Sequence, residues 1–106
     1  MTKVTVNAGI CGYSVEIKAE KGEAKKILIT LDTKCKMVKN MAEDLSALDM
    51  MAAFTGFMNN PVYKSAARHI RHVACPVPAG IIKAIEVEAG LCLPKDASII
   101  FMDSKK

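Results

Sequence analysis

Alternating apolar and polar residues predict two strands at the start of the chain. Residues 4–8 and 15–19 each alternate in this way, which is the period of a half-buried β-strand. The glycine-bearing stretch between them, residues 9–12, predicts a hairpin connection. An unbroken apolar run over residues 27–31 then predicts a third strand that is buried on both faces.

Helical periodicity follows in the middle of the chain. Apolar residues recur there at intervals of three and four, which is the spacing of one face of an α-helix. This stripe comprises Val38, Met41, Leu45, Leu48 and Ala52. A cap at Asp32 or Thr33 and a stop near Gly56 predict one long amphipathic helix.

Two more helices and a last strand are predicted in the second half. Asn60-Pro61 supplies an N-cap and a first helical residue for a helix that runs to about Ile70 or Arg71. A third helix is predicted over residues 78–89, with a proline in its first turn and a glycine directly after its end. The apolar residues 97–102 predict a last buried strand. Residues 103–106 are expected to fray.

The predicted element order is βββαααβ, which in a chain of 106 residues indicates an α+β fold with one domain over residues 1–106. We expect a mixed four-stranded sheet that three helices cover on one face. Hydrophobic residues make up 51% of the chain and charged residues 25%, as in ordinary globular proteins. The net charge of +4 comes without a long basic run, so nothing supports nucleic-acid binding.

The sequence also bears on the compartment. No apolar stretch approaches the ~18 residues that a membrane span needs, so no membrane association is expected. The N-terminal residues lack the pattern of a signal peptide. We therefore expect a cytoplasmic protein with reduced thiols. Four cysteines in that setting favour metal binding, redox chemistry or catalysis over a disulfide framework.

Three of the four cysteines fall at the ends of predicted elements. Cys11 lies in the hairpin connection, Cys35 at the start of the first helix and Cys75 just before the third. Soft thiolates suit zinc, copper(I) or an iron–sulfur cluster. We predict that Cys11, Cys35 and Cys75 form one metal or iron–sulfur site in a protein with a redox or binding role. Three ligands would leave an open coordination position, and no closely spaced cysteine pair specifies the metal.

The remaining soft donors receive other interpretations. Cys92 lies between two leucines and is predicted to be buried filler. His69 and His72 would share a face with Cys75 only if the second helix extended that far. Because Pro76 disfavours helical geometry at the residue before it, a basic and solvated helix end is the simpler account of the histidines.

Cys75 also supports a different class of function. A cysteine at a helix N-terminus has its pKa lowered, which favours the reactive thiolate. We therefore predict that Cys75 reacts with an alkylating reagent faster than Cys92. On this alternative, Cys75 is a nucleophile or sulfur carrier. A third alternative is a non-catalytic interaction domain that pairs with another protein or with a second copy.

Several stretches with cysteine, proline or glycine resemble a family of small uncharacterised proteins from anaerobic microbes. They are residues 11–13, Cys35 and residues 60–63, 75–80 and 90–95. The resemblance implies a compact domain with three shared cysteine positions and no established activity. Separately, Cys75-Pro76-Val77-Pro78 is similar to the Cys-Pro-x-Pro helix start of cytosolic sulfur-carrier proteins. That resemblance implies that Cys75 would hold a persulfide.

Overall fold

A four-stranded antiparallel sheet and three α-helices make up this computed structural model, which describes residues 1–103. The strands, in sheet order, are β1 (Thr2–Asn7), β2 (Ser14–Lys21), β3 (Lys26–Thr33) and β4 (Ala47–Asp49). The helices are α1 (Lys36–Met41), α2 (Pro61–His69) and α3 (Val77–Glu88). Two short 3₁₀ helices, Met50–Phe54 and Phe57–Asn59, connect β4 to α2. The α+β class is confirmed.

The first hairpin follows the predicted alternation. Val4 is opposite Ile17 in the pairing of β1 with β2, and Ile17 is opposite Leu31 in the pairing of β2 with β3. The side chains of Val15, Ile17 and Ala19 are almost fully buried, while their neighbours along β2 are largely exposed. The sheet therefore has one apolar face, which is typical of an antiparallel sheet that packs on a core.

Helix α3 packs across β1 and β2 and is fastened at its C-terminal end. Glu88 accepts hydrogen bonds from Thr2 Oγ1 at 2.8 Å and from the backbone N–H of Lys21 at 3.0 Å. Partial burial alone would raise the pKa of Glu88, but these donors and the nearby N-terminal ammonium outweigh it, so the pKa is lowered. Glu88 thus ties the end of α3 to the start of β1.

The long helix predicted for the middle of the chain is wrong. Helix α1 ends at Met41, and Leu48 lies in β4, where it pairs with Ile27 of β3. Asp49 then accepts a hydrogen bond from the N–H of Met51 at 2.8 Å and caps a 3₁₀ helix. All five residues of the predicted stripe are buried. Their spacing therefore predicts burial correctly, but one helix does not contain them all. Leu48 is buried in a strand and Ala52 in a 3₁₀ helix.

The predicted last strand is also wrong. Residues 97–102 form no strand and are exposed, and the fourth strand of the sheet is Ala47–Asp49. The element order is consequently βββαβαα, and the sheet is antiparallel where a mixed sheet was predicted. The coverage of one face by all three helices stays a prediction. The predicted fraying of the C-terminus falls largely on residues 104–106, outside the described residues.

No helix within residues 1–103 is long and apolar enough to cross a membrane.

Candidate functional site

Three of the four cysteines line one cavity of about 360 Å³. The cavity lies between the β1–β2 connection, the start of α1 and the segment that joins α2 to α3. Cys11, Cys35 and Cys75 are on its wall together with Tyr13 and His72. The rest of the lining is apolar. The fold thus brings the three sequence-predicted ligands to one place.

Cys35 is the N-cap residue of α1 and is only 8% exposed. Its backbone N–H donates to Oγ1 of Thr33 at 3.1 Å, and the Thr33 hydroxyl in turn donates to the carbonyl of Ser14 at 2.9 Å. Its carbonyl accepts the N–H of Lys39 at 3.0 Å. Because these bonds use only backbone atoms of Cys35, its backbone is held and the thiol stays available to the cavity.

Cys75 lies two residues before the first residue of α3 and is half-buried. Its backbone N–H donates to the carbonyl of His72 at 3.1 Å, which closes the turn before α3. Burial raises the pKa of the Cys75 thiol; the backbone N–H of Val77 lowers it, and the nearby Cys11 and Cys35 thiolates raise it again. The net shift is upward, so the predicted lowering by the helix N-terminus is wrong, because desolvation dominates.

Cys11 is exposed at the tip of the β1–β2 connection. The connection is closed by a hydrogen bond from the N–H of Ala8 to the carbonyl of Tyr13 at 3.0 Å. Gly9 and Gly12 have φ values of 95° and 77°, a region in which side chains other than glycine are strained. These two glycines allow the tight turn that brings Cys11 to the rim of the cavity.

Within residues 1–103, no three histidine, cysteine or acidic side chains are grouped so that they could hold a metal ion. The three thiols therefore line one cavity, and the charges of Cys11 and Cys35 act on Cys75, but the three do not stand at ligand distance. Cys35 and Cys75 belong to helix starts, whereas Cys11 belongs to an exposed turn. A three-thiol metal site would require these side chains to come closer together than they are here.

The two histidines have different surroundings. His72 lines the cavity, while His69 is the last residue of α2 and its Nε2 lies 3.1 Å from Oδ2 of Asp44. Arg68 and Ser65 also donate to that oxygen, at 2.9 Å and 2.8 Å. The Arg68 hydrogen bond, with those of Ser65 and His69, lowers the pKa of Asp44 to about 2. The cluster fastens α2 to the chain after α1.

Cys92 is exposed and does not line the cavity, so its predicted burial is wrong. The chain after Gly90 runs outside the core, and the flanking residues Leu91 and Leu93 are 45% and 84% exposed. Two leucine neighbours therefore do not imply a buried cysteine here.

Exposure reverses the expected order of thiol reactivity. We expect Cys92 and Cys11 to be alkylated before Cys75 and Cys35, because the first pair is exposed and burial hinders the second. The raised pKa of Cys75 adds to this, since less thiolate is present at neutral pH. Peptide-resolved alkylation across pH 6–10 checks the order, with urea-unfolded protein as the control. Labelling of Cys75 first in the folded protein would contradict it.

No curated protein and no solved structure matches this chain. The model of a family of unknown function, DUF6951, matches residues 2–101, and the chain therefore belongs to that family.

Proposed function

We propose that the protein is a metal- or cluster-binding module in which Cys11, Cys35 and Cys75 hold a soft metal ion or an iron–sulfur cluster. The observation that carries the proposal is the presence of all three thiols on the wall of one cavity of about 360 Å³. Thiolates are the preferred ligands of zinc, copper(I) and iron–sulfur clusters. The proposal assumes a reducing cytoplasm, in which the thiols stay free.

The surroundings of the thiols support a cationic occupant. Cys75 is desolvated by burial, and negative charge on Cys11 and Cys35 disfavours its thiolate form. Three thiolates around an apolar cavity would repel one another, and those of Cys35 and Cys75 would lose hydration. A bound cation offsets both costs because it supplies opposite charge at the sulfur atoms. Metal binding would therefore release protons from the thiols.

Cys11 would close the site. Cysteine ligands bind zinc at about 2.3 Å, so the exposed turn that carries Cys11 would fold over Cys35 and Cys75. His72 also lines the cavity and is the candidate for a fourth ligand. A three-cysteine, one-histidine set is a common closed zinc site. Without His72, one coordination position would stay open to an external ligand.

The arrangement is less suited to a sulfur carrier, the alternative that Cys75-Pro76-Val77-Pro78 suggests. A carrier needs an accessible persulfide, whereas Cys75 is half-buried beside two other thiols. The observation in favour of a carrier is the position of Cys75 directly before α3, with the N–H of Val77 directed at its sulfur. Mass spectrometry that detects one reducible sulfur atom added to Cys75 would favour the carrier.

Metal content after anaerobic expression tests the proposal. We expect one zinc or copper ion, or one cluster with iron and sulfide, per chain from medium supplemented with the corresponding metals. Elemental analysis separates these occupants, and visible absorption separates a cluster from zinc. The three single serine variants at Cys11, Cys35 and Cys75 should each lose most of the metal, since each cysteine supplies one ligand.

Cys92→Ser is the matched control, because Cys92 is exposed and lies outside the cavity. This variant should keep the full metal content. Circular dichroism of every variant separates the loss of a ligand from the loss of the fold. Metal-free wild-type protein after reconstitution with iron and sulfide, zinc and copper(I) would overturn the proposal. So would equal metal loss in the Cys92 variant.

A further inference from the structure

The C-terminal segment carries a run of large apolar side chains that one copy of the chain leaves exposed. Ile99, Ile100, Phe101 and Met102 are between 74% and 97% exposed, and residues 91–103 form no helix or strand. Exposed apolar residues that are contiguous mark an interaction site in soluble domains. Two of the four are β-branched and one is aromatic, which is the composition of a β-strand. The segment therefore has the composition of a strand, although it forms none in the described chain.

The sheet supplies a matching edge. Strand β1 is the first strand in the sheet order and pairs on one side only, with β2, within residues 1–103. It is six residues long, the length of the segment 97–102, whereas the opposite edge strand β4 has three residues. An edge strand presents unpaired backbone N–H and C=O groups that can pair with another strand. The edge of β1 is thus the better template for a six-residue strand.

The chain that leads to the segment leaves α3 close to that edge. Glu88 at the end of α3 accepts a hydrogen bond from Thr2 at the start of β1, at 2.8 Å. After Gly90, residues 91–103 are all exposed. The segment is therefore accessible to another molecule, and no strand within residues 1–103 lies beside the outer edge of β1.

We propose that residues 97–102 of one copy add as a fifth strand to the edge of β1 in a second copy. The exchange is reciprocal, so that a two-fold symmetric dimer forms and each copy both gives and receives a strand. The match to the family model extends to residue 101 and so includes most of this segment. A second copy is the occupant because every chain carries both an exposed apolar segment and an edge strand that has no neighbour on one side within residues 1–103.

Strand addition would divide the four apolar side chains of the segment between the two faces of the sheet. Ile99 and Phe101 would lie on one face of the extended sheet, with Ile100 and Met102 on the other. In β1, Val4 and Val6 pack against the core while Lys3 and Thr5 are exposed. One pair of the added apolar side chains would therefore extend the core-facing surface beside Val4 and Val6. The backbone of the segment would gain strand hydrogen bonds, none of which it makes within residues 1–103.

The mass of the full chain in solution, measured by light scattering under reducing conditions, tests the proposal. Reductant keeps the exposed Cys11 and Cys92 from linking two copies. We expect a dimer that dissociates on dilution. Ile100→Pro and Phe101→Asp should each raise the dimer dissociation constant about tenfold or more, the first because proline cannot donate to a strand pair. Leu93→Asp, at an equally exposed site outside the strand, should leave it unchanged.

Hydrogen exchange distinguishes strand addition from other contacts. In the dimer, the amides of residues 99–102 and the outward-facing amides of β1 should be protected, and protection should fall on dilution. A wild-type protein that is monomeric at high concentration would overturn the proposal. Protected amides in such a monomer would indicate that the segment pairs with β1 of its own chain, and unprotected amides would indicate that it pairs with no strand. A dimer that neither Ile100→Pro nor Phe101→Asp weakens would overturn it as well, since the interface would then lie elsewhere.

Discussion

Replacing Asn60 with alanine is expected to lower the free energy of unfolding by about 3 kcal/mol, from a lost helix cap and the loss of two side-chain hydrogen bonds to backbone carbonyls. The residue is 2% exposed. Its Nδ2 donates to the carbonyls of Ala52 at 2.6 Å and Thr55 at 3.0 Å. Its Oδ1 accepts the N–H groups of Val62 at 2.9 Å and Tyr63 at 3.4 Å. One side chain thus joins the first 3₁₀ helix to the start of α2.

Urea unfolding of the Asn60 and Asn59 alanine variants measures this effect. Asn59 is the matched control, because it is adjacent but exposed, and its loss should change stability by less than about 0.5 kcal/mol. Asn60→Asp keeps the oxygen that caps α2 and removes the donor to Ala52 and Thr55. It should therefore be destabilised as well, although the cap is present. Equal stability of the Asn60 and Asn59 alanine variants would contradict the assignment.

The hairpin of β1 and β2 was predictable because its signals are local. Alternation over residues 4–8 and 15–19 fixes which side chains face the core, and the glycines between them fix a turn. The start of α2 was predictable for the same reason, since Asn60 caps it and Pro61 follows. In each case neighbouring residues determine the conformation.

Elements that depend on distant partners could not be predicted in this way. Leu45 and Leu48 are buried as the helical spacing requires, yet Leu48 reaches the core through a strand paired with β3. The spacing of apolar residues alone predicts which residues are buried. A single helix and the observed elements would both bury these two leucines. Residues 97–102 have the composition of a strand, but composition does not identify the strand with which they pair. The single-domain organisation likewise stays a prediction.

The candidate site was partly predictable. Cys11, Cys35 and Cys75 stand at element ends in the sequence, and the fold places all three on one cavity. Their metal ligation stays a prediction. The Asp44 cluster was missed, although Ser65, Arg68 and His69 share one face of a helix at intervals of three and four residues. That spacing was a usable signal, but the acidic partner comes from another part of the chain.

The resemblance to an uncharacterised family is confirmed at the level of the family. Its cysteine pattern and its occurrence in anaerobic microbes stay predictions.

Replacing Gly80 with valine is expected to lower the free energy of unfolding by about 3 kcal/mol, at the upper end of the cost of overpacking a core. Gly80 is buried on the face of α3 that packs against β1 and β2. A Cβ at this position would overlap Cγ2 of Val6 and would lie 3.3 Å from Cδ1 of Ile17. Valine is the better helix former, so a loss of stability reports the close approach of α3 to the sheet.

Ala79→Val is the matched control, since Ala79 is the neighbouring residue of α3 but is exposed. It should cost about 0.6 kcal/mol or less, which is the difference in helix propensity. Thermal and urea unfolding of both variants give the comparison.

Because Gly80 lies one turn after the buried Val77, displacement of α3 should also move Cys75 out of the cavity. Its alkylation should then be faster in Gly80→Val than in Ala79→Val. Equal stabilities and equal Cys75 labelling rates in the two variants would show that α3 does not set the position of this thiol.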